Sequence, residues 1–153
     1  MRVGLISDTH GLLRPQALAA LQGCDHIVHG GDIGNAAILE QLRAIAPLTV
    51  VRGNNDKGDW AAAIGESETI ELAGVRLHAI HDVNELAIDP GAEGIQVVVS
   101  GHSHRPKLER RGGVLYVNPG SAGPRRFKLP VSVGELVVKA GKVVSARIVE
   151  LQA

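Results

Sequence analysis

The chain has 153 residues, 44% of them hydrophobic but only 2% aromatic, with 16 basic side chains against 16 acidic ones. That length suits one domain, expected over 1–153, with an aliphatic core large enough to do without disulfides or a structural metal. The charge balance excludes a global positive field for nucleic acid polymers or anionic membranes, and Trp60, Tyr116 and Phe127 are too few to stack a single strand.

In chain order, short aliphatic runs at 2–6, 26–28 and 48–51 alternate with helix-like segments at 14–21 and 36–45, which reads as a βαβαβ unit. The runs are uniformly apolar, as in a parallel sheet covered on both faces. From residue 68 onward the pattern changes to strands in close succession, at 68–72, 75–80, 96–99, 107–111, 114–117, 131–138 and 143–150. Ala73-Gly74, Gly112-Gly113 and Ala140-Gly141 have the chemistry of tight hairpins. The expected fold class is therefore α/β, with two sheets packed together and helices outside. No run reaches membrane-spanning length, and the lone Cys24 permits no intrachain disulfide, so the chain reads as cytoplasmic. A lean towards basic residues at 101–130, where Glu109 is the only acid, reads as a solvated hairpin.

The polar residues that follow these runs carry the chemistry. Asp8 and His10 follow the first run, Asp32 the second and Asn54 the third; His81 follows 75–80, and His102 and His104 follow 96–99. Carboxyl ends of parallel strands converge on one edge, where ligands bind. Singly, each group passes for a turn: Asp8-Thr9, Gly30-Gly31-Asp32 and Gly53-Asn54-Asn55-Asp56 all have turn chemistry. Jointly, five independent turns would have to choose metal-binding side chains. Imidazole, carboxylate and amide ligands without thiolate suit Mn, Fe, Zn or Ni better than calcium or a structural zinc site. Seven ligands are too many for one ion, and a bridging carboxylate could hold two ions about 3.5–4 Å apart. The spacing of His102 and His104 is strand-like, aiming both rings the same way.

These blocks, Asp8-Thr9-His10, Gly31-Asp32, Gly53-Asn54-Asn55-Asp56, His81 and Gly101-His102-Ser103-His104, occur in the order found in the calcineurin-like metallophosphoesterase superfamily, which the sequence resembles. The small size and Asn118-Pro119-Gly120-Ser121 are similar to its compact branch of YfcE-like phosphodiesterases, whose fold a retromer subunit shares. The resemblance implies a four-layer α/β/β/α sandwich of two mixed sheets. It implies a first divalent ion on Asp8, His10, Asp32 and His104, and a second on Asp32, Asn54, His81 and His102. Manganese is the expected metal, with Ni, Zn or Fe as substitutes, and a metal-bridging hydroxide would attack phosphorus. The implied substrate is a small phosphate ester, and a homo-oligomer is compatible with it.

Two departures bear on function. Many relatives have a His after the metal-binding Asn; here Asn55 stands there, and an amide cannot act as a general acid. Aryl phosphodiesters and other esters with good leaving groups are therefore expected to react best. Asp56 reads as a buttress of its loop, and with Asn54 and Asn55 it completes the candidate catalytic block. After His81, Asp82 replaces a common Gly. Arg14, Arg125 or Arg126 could pair with a phosphate oxygen. His29 reads as a packed imidazole behind the ligands, and His26 and His78 as ordinary histidines. The competing reading is a metal-binding scaffold of the same fold, working through protein contacts with little turnover.

Overall fold

The computed structural model describes residues 1–152. Side-chain alternation along the first strand, β1 (Arg2–Ile6), sets the layering. Val3 and Leu5 point between the two sheets, while Ile6 packs under the helices and a Cβ at Gly4 would collide with Leu21. The chain continues through α1 (Pro15–Leu21), β2 (His26–His29), α2 (Ala36–Arg43) and β3 (Leu48–Val50). Pro15 opens α1, where its missing N–H costs nothing. Asn35 caps α2 by accepting from Ile38 N, and Ile38, Leu39 and Leu42 form its buried stripe. That helix stops at Arg43, two residues short of the expected 45, ahead of Ala46-Pro47, where proline disfavours helical backbone. A short α3 (Asp59–Ala62) was not anticipated.

Seven further strands follow: β4 (Ser67–Leu72), β5 (Val75–Ile80), β6 (Val97–Val99), β7 (Lys107–Arg111), β8 (Val114–Asn118), β9 (Ser132–Lys139) and β10 (Lys142–Glu150). Their bounds match the sequence expectation to within one residue. Both central residues of each expected hairpin turn have positive φ, between 49° and 82°, as a tight primed turn requires.

The strands form two five-stranded sheets, ordered β10-β9-β1-β2-β3 and β4-β5-β6-β8-β7. Each has a parallel trio, β1-β2-β3 or β5-β6-β8; antiparallel pairing adds β9 and β10 on the β1 side of the first and one strand on either side of the second. The sheets bury Val3, Leu5, Val28, Leu77, Val97, Val99, Val117 and Leu136 between them. Helices α1 and α2 cover the outer face of the first sheet. The outer face of the second is covered more thinly, by the segment that carries Val83 and Ile88, in which Val83–Glu85 forms a single 3-10 turn. No helix among the described residues is long and apolar enough to cross a membrane.

Candidate metal centre

The C-terminal ends of both parallel trios open on the same edge. Asp8 and His10 follow β1, Asp32 follows β2 and Asn54 follows β3; His81 follows β5, and His102 and His104 follow β6. Main-chain bonds lace the loops together: Asp8 N donates to Gly31 O, His10 N to Asp32 O, and Gly101 N to His81 O. Five candidate ligands, Asp8, His10, Asp32, His102 and His104, hold left-handed φ between 45° and 72°. Such backbone costs a non-glycine residue about 1 kcal/mol or more, and it persists where the surroundings over-determine it.

Asp8 is the hub of the centre. Its Oδ2 accepts from Ser7 Oγ at 2.8 Å and from His102 N at 3.2 Å, which leaves Oδ1 buried with no donor. Three imidazole nitrogens ring Oδ1: Nε2 of His104 at 3.4 Å, of His10 at 3.8 Å and of His81 at 4.0 Å. Asp32 lies between the same imidazoles, its Oδ2 being 3.2 Å from His81 Nε2 and 3.7 Å from His10 Nε2. Two sets of ligand atoms converge within 4.8 Å, Asp8 with His10 and His104, and Asp8 with Asp32 and His81. His81 Nδ1 donates to Gly30 O at 2.7 Å, so in the neutral ring Nε2 carries the lone pair; that atom is buried without a hydrogen-bond partner. A carboxylate oxygen and an imidazole lone pair, both orphaned and both facing the cluster, fit a divalent cation.

The outer ligands differ. Asn54 is exposed and the His102 side chain 45% exposed, and they meet at 3.3 Å, Nδ1 to Oδ1. The strand-like reading of His102 and His104 does not hold. Two left-handed residues turn the chain, so the rings part: His104 lies against His10 and His102 against His81, each pair with centroids 5.2 Å apart.

Behind the ligands, Asn55 clamps Asp32, donating from its backbone N to Oδ1 at 2.9 Å and from Nδ2 to Oδ2 at 3.1 Å. Asp56 is buried and accepts three backbone N–H groups, from Ile33, Gly34 and Gly53. His29 is wholly buried; its Nδ1 accepts from Gly31 N, and its Nε2 donates to Thr9 Oγ1, whose proton goes to Ile33 O. That network fixes the neutral tautomer, and burial pushes the His29 pKa down to about 4. His26 and His78 pair with Thr49 and Thr69, outside the two ligand sets.

The electrostatics follow from these contacts. Burial opposes charge on Asp8, but the imidazoles of His10 and His104 outweigh it and hold the carboxyl well below the usual range. For Asp32, burial is outweighed by His81 and by the Asn55 N–H, and its pKa is likewise lowered. Asp8 raises His10, and Asp32, against burial, raises His81.

Of the candidate phosphate-pairing residues, Arg14 donates Nε to Gly123 O at 3.1 Å. Arg125 and Arg126 lie in an exposed turn, and the charge of Arg126 acts on His10. Sequence reasoning missed Ser7 as the donor that fixes Asp8. Glycines close over both carboxylates, since a Cβ at Gly101 would overlap Ser7 Oγ and one at Gly53 would overlap Asp32 Oδ1.

A family model, the calcineurin-like phosphoesterase superfamily domain, matches residues 1–141. The chain is 32% identical over 142 residues to a probable metallophosphoesterase of Methanothermobacter thermautotrophicus, covering 85% of this chain and 82% of that protein. It is 27% identical over 166 residues to the phosphodiesterase YfcE of Escherichia coli, covering 89% and 87%. The fold matches that of Vps29 from Chaetomium thermophilum with a TM-score of 0.79 at 18% identity, over 97% of each chain. With its two mixed sheets and the edge cluster of carboxylates and imidazoles, the chain belongs to the calcineurin-like phosphoesterase superfamily.

Proposed function

We propose that this chain is a phosphodiesterase that hydrolyses small phosphate esters at a centre of two divalent ions, manganese by preference. The observation that carries the reading is Asp8 Oδ1, a buried carboxylate oxygen without a donor, ringed by three imidazole nitrogens. Asp8, His10 and His104 would hold one ion, and His81, Asn54 and His102 the other, with Asp32 reaching both sides through Oδ2. When bound, two such ions acidify a water and neutralise charge developing on the phosphoryl oxygens.

The chain's own residues supply the framework. Ser7 and Asn55 hold the two carboxylates in position, and the Gly30 carbonyl selects the His81 tautomer. The Asn55 amide is engaged with Asp32 and offers no transferable proton. Asn55 therefore gives a leaving alcohol no proton, which favours aryl esters.

The test begins with metal-free protein. Mn, Ni, Zn or Mg is added in turn, and aryl phosphomonoesters and diesters are assayed. The expected result is metal-dependent turnover, faster with diesters and abolished in Asp32→Asn. Tight metal binding with no ester hydrolysed would favour the scaffold reading instead.

A further inference from the structure

A cavity of about 480 Å³ opens beside the outer ligands, bordered by Asn54, His81 and His102. That volume holds a small organic group. Ile80, Ala87 and Ile88 give it an apolar wall. Its charged lining is lopsided: Glu66, Asp82 and Glu85 against Arg52 alone, and Arg52 is paired with Glu66 at 3.2 Å. The remaining titratable neighbour, His78, is bonded through Nδ1 to Thr69. Basic side chains gather elsewhere. Arg105, Lys107 and Arg111 line a second cavity of about 310 Å³ that adjoins the first at Asp82 and His102, and Arg125, Arg126 and Lys128 lie after Gly123.

We propose that the cavity beside His81 and His102 receives one alcohol arm of the phosphodiester, and that it selects an uncharged or cationic, partly apolar arm over one bearing a second anion. This rests on the phosphoesterase reading and names its substrate class. The ester's own negative charge would stay at the ligand cluster, while the arm extends past His102 between the Ile88 wall and the carboxylates of Asp82 and Glu85. A terminal phosphate or carboxylate there would meet the carboxylates of Glu85 and of Asp82, the latter 3.9 Å from His102 Nε2. An ammonium group would be attracted by them. The chemical class for this cavity is thus the arm of a small diester of an amino alcohol or a neutral alcohol.

Charge reversal at the exposed Glu85 tests this without disturbing the core. The probes are symmetric phosphodiesters, so that either orientation places the same arm in the cavity; their arms are both trimethylammonioethyl, both ethyl or both carboxymethyl. Dissociation constants are measured by calorimetry on Mn-loaded protein, a readout independent of turnover. Glu85→Lys should shift the ratio of cationic-arm to anionic-arm affinity towards the anion by at least about tenfold, since it changes the local charge by two units. Glu66→Gln, which frees Arg52, should move the ratio the same way by less. A ratio unchanged in both variants overturns the assignment of the cavity, whatever the turnover result. Absence of hydrolysis of the aryl esters, with a ratio that does move, would instead sink only the enzymatic reading.

Discussion

The centre has two halves built on different principles. Asp8, Asp32, His81 and His104 are buried, with Ser7, Asn55 and the Gly30 carbonyl fixing the first three. Asn54 and His102 stand at the surface and touch each other and the cavity. The inner set is arranged before any ion binds, because its buried, orphaned atoms are held in place by packing. The outer set is free to adjust to a substrate. The difference teaches where binding energy resides: inner residues should govern metal affinity, and outer residues the fit of the ester.

The largest effect should come from the inner carboxylates. Asp32→Asn removes a charge that faces His81 and His10 while keeping the shape of the side chain. Loss of an outlying partner of a metal ligand typically costs 10–100-fold, so loss of the carboxylate should lower metal-dependent kcat/KM by more than about 100-fold. Steady-state kinetics, with circular dichroism to confirm folding, checks it. A wild-type rate would remove Asp32 from the centre.

Proton competition comes next. His10 and His81 have raised pKa values in the folded, metal-free chain, because Asp8 and Asp32 stabilise their charged forms. With folded values above the unfolded 6.5, their contribution to metal-free stability is complete below pH 6.5 and is lost as pH rises through the folded values. A cation needs both rings neutral, so its affinity must climb over the same interval. Manganese should bind more tightly at pH 8 than at pH 6, and the gap in Tm between loaded and metal-free protein should widen accordingly. A flat profile would place these rings outside the ligand set. Smaller still, His102→Ala should lower kcat/KM about tenfold with metal retention nearly intact, since the ring is 45% exposed. If it matched Asp32→Asn, the division into inner and outer halves would fail.

The sequence exposed the candidate ligands because each follows an aliphatic run that becomes a strand, and strand ends share one edge by topology. The turn of the His102 and His104 rings was not legible. Left-handed backbone at a histidine comes from contacts such as His102 N with Asp8 Oδ2, which join residues 94 positions apart. Ser7 was hidden for the same reason: a serine before an aspartate is unremarkable until Gly101 from the other sheet closes over it. Helix α3 is four residues long, too short for a hydrophobic period to register. The acidic cavity also escaped notice, because Glu66 and Glu85 are exposed acids like any others until the fold sets them beside His81.

Asn55 provides the finest test of the comparison, because it touches the inner set from outside. Its position after Asn54 suggested a replacement for a proton donor, yet both of its donors go to Asp32. In Asn55→Ala the backbone N–H remains and only the bond to Oδ2 is lost. A hydrogen bond to a charged acceptor is worth about 1.5–3 kcal/mol, less where another donor can compensate. Manganese affinity should therefore fall by less than about tenfold, with kcat falling in parallel and no change in the slope of rate against leaving-group pKa. A steeper slope in the variant would show that Asn55 assists the departing alcohol. Loss of affinity with an unchanged slope would make it a positioning residue for Asp32, so that the inner half of the centre extends one residue further than its ligands.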